Sequence, residues 1–402
     1  MKKNLLVLFL LMVSWREALF LVSMHSDYVF PYDPSFPYVE QVLLNSETPK
    51  WLYSWANFDG THYLTITSVG YWGIGLVQAF FPLFPLFLGY FSLLFGLKPL
   101  VGGVTISFIS FTIFLFIWFS EMNKKYDEKF AWKNVAVLLL FPTSFFFAAI
   151  YSESFFLVWF MLTWYFARKK NWIGVAISIL FASSSRLIGI LLIPAVLINL
   201  WVEQYAQLPH RFFISFKPLV KSFSLFIQKD WKKIIIISLG SFGLLGYMFF
   251  LQMRYQDPLA FFHVQDEFGA GRETKFITLP QVFWRAVKIL HTVERDDWKY
   301  FAYAQETAVS FLFLSLWGIG AVKRHQYKIS WGELFFSGGA YLLPTLTGTF
   351  SSMPRYVLVC IPLFVVLTHL LQRRIFFYGW LLFSSILLLL NTILFLQGYW
   401  VA

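Results

Sequence analysis

Apolar runs close to 20 residues long recur along the whole of this 402-residue chain, and about 20 residues is what an α-helix needs to cross roughly 30 Å of hydrocarbon. No other feature restricts the fold as much. A segment in lipid finds no water for its backbone, so it must be a helix or part of a closed barrel. Barrel strands alternate over about ten residues, and stretches such as Ser384–Leu396 (SSILLLLNTILFL) do not alternate. Only 13% of the residues are charged and 58% are hydrophobic, whereas about a quarter of a soluble chain is charged. The expectation is an all-α polytopic membrane protein, one integral domain over residues 1–402 with about eleven spanning helices.

The net charge of +11 raises the possibility of a nucleic-acid partner, but its distribution argues against one. Lys and Arg collect in loops of one side, at Lys2-Lys3, Lys124-Lys125, Arg168-Lys169-Lys170, positions 202–233, 323–328 and Arg373-Arg374, while acids favour the other side. That is the positive-inside pattern, which sets orientation and adds some contact with anionic membrane lipid. Cys360 is the only cysteine, which excludes a disulfide framework and a thiolate metal site. Residues 1–24 resemble a signal peptide, yet no small-x-small cleavage site follows and Arg16-Glu17 interrupt them. They read as an uncleaved first span.

Spans are expected near Asn4–Met24, Leu100–Ser120, Asn134–Ile150, Ser154–Ala167, Trp172–Ser184, Leu187–Trp201, Ile234–Gln252, Thr307–Val322, Trp331–Phe350, Tyr356–Leu371 and Phe376–Leu396. Phe80–Leu97, weakened as a straight span by Pro82 and Pro85, reads as a helix in the outer leaflet, and Phe212–Ile227 as an interfacial helix on the inner side. Two large external loops remain, 25–79 and 253–305. The first contains the most hydrophilic stretch of the chain, Trp51–Trp72 (WLYSWANFDGTHYLTITSVGYW).

On this topology Arg16, Asp59, His62, Glu153, Arg186 and Arg355 all fall on the outer side. Ionisable groups at membrane depth are costly and usually face a wet interior, so their convergence suggests one cavity. Asp59, beside Gly60, can act as a general base on an attacking hydroxyl; the same spacing suits a helix N-cap. His62, three residues on, can orient the carboxylate or donate to a phosphate, or simply bind interfacial water. Arg186, Arg355 and Arg16 carry the donor fork a phosphate needs. Arg16 can instead pair with a carboxylate such as Glu153, Arg186 can snorkel, and Arg355 can be an interfacial anchor. Tyr63 and Trp55 can stack on sugar, although aromatic belts form at any membrane interface. In the second loop Asp257, His263, Gln265 and Asp266 are candidates for acceptor binding. No Gly-rich phosphate loop, HExxH or Cys/His metal spacing occurs, and no metal or cofactor is expected. Sugar nucleotides are cytosolic, so external chemistry of this kind implies a lipid-linked sugar as donor substrate.

FDGTHYLTITSVGY, FFPLFPLF, FPTSFFFAAIYSES, SSSRLIGILLIPA, DPLAFFHVQ, SMPRYVL and the terminal GYWVA, in this order, together resemble the bacterial relatives of GPI mannosyltransferase 2 (PIG-V), polytopic glycosyltransferases of the GT-C class. The resemblance implies a GT-C-like bundle whose first external loop carries the catalytic Asp, here Asp59. It implies an inverting hexosyltransferase that moves a sugar, typically mannose, from a polyprenyl-phosphate donor to a glycan or glycolipid acceptor. Glu153 and Arg186 match positions lining the site and Arg355 matches the PRY motif. Phe58-Asp59 stands where eukaryotic members carry Trp-Asp. For a bacterial chain the location would be the plasma membrane, with the site on its external face. Two other readings are a transporter or flippase of a lipid-linked glycan, which predicts broken helices paired across an inverted repeat, and a noncatalytic assembly partner.

Overall fold

The computed structural model describes residues 2–34, 36–205, 216–269, 271–295 and 298–401, and among them every regular element is a helix. Among the described residues six helices are long and apolar enough to cross a membrane: Lys3–Tyr28, Pro99–Lys125, Leu187–Gln204, Pro218–Tyr255, Trp298–Val322 and Arg374–Leu396. A seventh candidate is the pair Met353–Val359 and Ile361–Leu370, bent by 94°. The chain therefore has the make-up of a multi-pass integral membrane protein. The count is below eleven because several expected spans fold as shorter helices, Glu128–Leu139, Glu153–Arg168, Trp172–Ser185 and Trp331–Thr345. The interfacial helix expected at Phe212–Ile227 begins outside the described residues; from Phe216 the helix runs to Ser238 with a kink at Asp230.

The expected span Asn134–Ile150 departs furthest from a continuous helix. Its helix stops at Leu139, just before Pro142, and residues 140–152 continue as buried, mostly irregular backbone. Carbonyls stripped of helical partners cost several kcal/mol each in an apolar medium, and here other segments supply the donors. Trp15 Nε1 reaches Leu139 O (3.1 Å), Ser384 Oγ reaches Leu140 O (2.6 Å) and Asn391 Nδ2 reaches Pro142 O (3.0 Å). Ser107 Oγ and Arg16 Nη1 bond Ala149 O (2.7 Å) and Ala148 O (2.6 Å). Irregular backbone at this depth survives because it is enclosed by protein. Its use is positional, since it delivers Tyr151, Ser152 and Glu153 together at the start of the Glu153–Arg168 helix.

That helix packs on Trp172–Ser185 and Pro99–Lys125. Trp172–Ser185 in turn meets the Phe242–Tyr255 helix closely: a Cβ on Gly243 would collide with Leu180 O and Ser183 Oγ. Such close approach between apolar helices needs small residues, and it fixes the helix end from which Arg186 projects. The first helix packs against Arg374–Leu396 and Pro99–Lys125, so the two ends of the chain close the bundle together. The second large loop is not wholly irregular. It contains the amphipathic helix Leu279–Thr292, with Val282 and Ala286 buried and Trp284 exposed.

Candidate active site

Asp59 is the first residue of the helix Asp59–Val69, and the cap position before it is taken by Phe58. The N-cap alternative therefore does not hold, and its carboxylate is directed elsewhere. Phe58 has φ +59°, an uncommon conformation for a side-chain-bearing residue. Tyr151 holds it there from both sides, donating from its hydroxyl to Asn57 O (2.9 Å) and accepting from the Asp59 N–H (3.2 Å). The carboxylate turns toward Arg355, whose Nη1 donates to Oδ2 at 2.6 Å. About a quarter of the Asp59 side chain is exposed (24%), against 6% for Arg355.

From this pair a polar network runs inward. Arg355 Nε lies 3.6 Å from Glu153 Oε1, and Arg186 Nη1 lies 2.7 Å from the same oxygen. Neither contact is a hydrogen bond, the first being too long and the second misaligned, so the fully buried Glu153 carboxylate is held by charge alone. Arg186 Nη1 also donates to Ser152 Oγ (3.0 Å), which shares a hydrogen bond with Tyr63 OH (2.9 Å). Burial pushes the Tyr63 phenol well above its usual range, which keeps it protonated. Asp59 and Glu153 both sit in the first turn of a helix, where the positive end of the dipole favours an anion.

Asp59, His62, Tyr63, Arg186 and Arg355 all line one cavity of about 700 Å³, a size that takes a ligand of several rings. His62 does not touch the carboxylate. Its ring stacks on Phe80 (4.6 Å between centroids), Nδ1 lies 3.3 Å from Thr61 Oγ1, and Nε2 has no partner. Burial holds it below the usual histidine value, and the charge of Asp59 offsets this only in part. The ring is neutral at pH 7 and can donate or accept through one free nitrogen.

Arg16 and Trp55 are not in the cavity wall. Arg16 is clamped between the Phe20 and Trp55 rings (4.4 and 4.6 Å) and bonds Ala148 O. It pairs with backbone and aromatic faces rather than with Glu153. Of the second-loop candidates only Gln265 lines the cavity; Asp257 binds His263 (2.7 Å) on an exposed face, a contact that draws the Asp257 carboxyl below its usual value.

Three lining or supporting residues were not singled out by sequence reasoning. Arg272 touches only neutral groups, Gln265 Oε1 (3.1 Å), Ser352 Oγ (3.5 Å) and Tyr356 OH (3.5 Å). Among the described residues no carboxylate pairs with it, whereas Arg186 and Arg355 are already neutralised by Glu153 and Asp59. Glu306, buried in the Trp298–Val322 helix, accepts the Ser352 N–H (3.0 Å) and Trp400 Nε1–H (3.3 Å). Trp400 in turn walls the cavity and meets Phe58 edge-on (5.4 Å). The signal for Glu306 was an acid beside an apolar run; a loop ending at 305 and a span starting at Thr307 left it in neither.

Ser352 has φ +66° and precedes the short helix Met353–Tyr356 that aims Arg355. Holding a non-glycine residue there costs about 1–2 kcal/mol, so the Glu306 bond keeps Arg355 in place. Glu306→Ala is expected to lower thermal stability. Ser352→Gly should recover about 1 kcal/mol in that background, more than it adds to the wild type. Strict additivity across the double-mutant cycle would show that Glu306 does not hold this turn.

No family model matches the chain, and no curated protein is significantly similar to it.

Proposed function

We propose that this protein is a membrane glycosyltransferase that moves a sugar, mannose by the sequence resemblance, from a polyprenyl-phosphate donor to an acceptor hydroxyl at the external face. One observation carries the reading most: a partly exposed carboxylate, Asp59, fixed by Arg355 at the wall of a large, aromatic- and arginine-lined cavity. Asp59 would take the proton of the attacking hydroxyl, and the sugar would leave its phosphate with inversion. The leaving phosphate gathers negative charge, and oriented cations in a water-poor site stabilise it.

Charge pairing singles out Arg272 for that task. Arg355 and Arg186 each face a carboxylate, so an incoming phosphate would have to compete for them. Arg272 has its fork free of any acid, with the Ser352 and Tyr356 hydroxyls as neighbours. We expect Arg272→Gln to raise the KM for the lipid-phosphate donor by about tenfold or more, since a charge-assisted hydrogen bond contributes about 1.5–3 kcal/mol. An unchanged donor KM would return the phosphate to Arg186 and Arg355.

The test of the function itself is transfer of radiolabelled mannose from polyprenyl-phosphate mannose in membranes containing the chain. Label passing to a new lipid or glycan supports the reading, and its absence with every lipid-linked sugar donor overturns it. The backbone is broken at 140–152 and at the 94° bend, and Thr143 Oγ1 of the first break bonds Pro354 O (2.6 Å) at the start of the bent pair. Discontinuous helices of this kind favour the transporter reading. A substituted-cysteine scan on a Cys360→Ser background separates the two: midplane positions reached by reagent from both sides would favour transport.

A further inference from the structure

We propose that a second recess beside the catalytic cavity binds the acidic portion of the acceptor, an anionic saccharide bearing phosphate or carboxylate, on Arg254 and Trp72. The inference rests on the transferase reading for the word acceptor, but its geometry is independent of it. The recess holds about 520 Å³ and takes its polar groups from Tyr38, Gln78, Arg254 and Glu267. Leu76 and Glu267 belong to both its wall and that of the cavity. Tyr38, on the recess side, lies edge-on to His62 on the cavity side, with 6.0 Å between ring centroids. A chain of sugars with one hydroxyl at Asp59 therefore needs no detour to reach it.

The recess is pre-formed. Two tyrosines staple the segment 71–80 to the helix Phe242–Tyr255, and a third closes the segment on itself. Tyr71 OH donates to Phe80 O (2.7 Å), Tyr247 OH to Gln78 O (2.8 Å), and Tyr255 OH to Tyr71 O (3.0 Å). On this frame the Arg254 guanidinium lies over the Trp72 ring, its Cζ 3.0 Å from the centroid. Its Nε is buried without a hydrogen-bond partner, and no carboxylate pairs with it among the described residues. A guanidinium stacked on indole keeps its in-plane donors free for the two oxygens of a phosphate or carboxylate. The Trp72 indole is 71% exposed, which leaves an aromatic surface for the apolar face of a sugar. Glu267, at the shared wall, repels an anion and accepts from hydroxyls. It sets the direction of the ligand, with charge toward Arg254 and neutral sugar toward Asp59.

The experiment uses the purified full-length chain in detergent, carrying Arg272→Gln so that the unpaired cation of the main cavity does not contribute. Saturation-transfer NMR and thermal shift are followed with mannose 6-phosphate, mannose and inorganic phosphate as probes. We expect mannose 6-phosphate to bind more tightly than either of the others, Arg254→Gln to weaken it by about tenfold, and Trp72→Ala to reduce saturation of the sugar-ring protons. Arg254→Lys, which keeps the charge and loses the fork, should fall between wild type and Gln. Binding of mannose 6-phosphate unaffected by Arg254→Gln and by Trp72→Ala would overturn the proposal, as would inorganic phosphate binding equally well. No turnover is needed. A chain that binds as expected yet transfers nothing would sink the transferase reading alone.

Discussion

Asp59→Asn should lower sugar transfer by about 10²–10⁴-fold, the usual contribution of a positioned general base, while the protein still folds. Asn keeps an oxygen that can accept from Arg355 Nη1 in the place of Oδ2, and the Tyr151 bonds to either side of Phe58 involve backbone atoms that the change leaves intact. Donor binding should survive as well, because the unpaired cation assigned to the phosphate is Arg272. The measurement is transfer of labelled sugar in membranes with matched amounts of each protein, beside thermal unfolding of the purified pair. A variant of normal stability with full transfer would remove Asp59 from the chemistry.

Glu153→Gln should do the reverse and act on the fold first. Glu153 is fully buried and is the acid that faces both Arg186 and Arg355. Neutralising it leaves two guanidinium groups sharing the single charge of Asp59. Breaking a buried pair in this way costs about 3–5 kcal/mol, enough to be read as loss of yield and an early unfolding transition. Removing one cation should offset much of that cost, so Glu153→Gln with Arg186→Met is expected to be more stable than Glu153→Gln alone. Equal stability of the single and double variants would mean that the three charges are not coupled. On the proposed reading the two carboxylates divide the work: one at the cavity wall for the reaction, one behind it to keep the arginines in place.

How much of this could be read beforehand follows from the range of the forces involved. Apolar length and the scarcity of charge are local properties, and they carried the all-helical, membrane-embedded class. The gathering of Asp59, Glu153, Arg186 and Arg355 was legible because ionisable residues in apolar surroundings are few and therefore conspicuous. Arg16 looked the same in sequence and proved to serve the backbone, since the carbonyl it satisfies, Ala148 O, lies 132 residues away. Pro142 falls inside the span expected at Asn134–Ile150, and the donors from Trp15, Ser384 and Asn391 that make a break there tolerable have no signature near it. Arg272 was hidden for the opposite reason. In a polar loop it resembles Arg285 and Arg295, and only the carboxylate beside Arg285, Glu273 at 2.6 Å, shows that the two arginines have different work.

The interrupted segment 140–152 also bears on how the protein is made. Its carbonyls and that of the preceding Leu139 are closed by Trp15, Arg16 and Ser107, which leave the ribosome before it, and by Ser384 and Asn391, which leave long after it. A bilayer offers no substitute donors. Until the Arg374–Leu396 helix arrives beside the first, Leu140 O and Pro142 O lack these donors and must keep water or remain wound as helix. The backbone that delivers Tyr151–Glu153 is thus completed only when the Arg374–Leu396 helix packs beside the first, so assembly of the cavity waits on that helix.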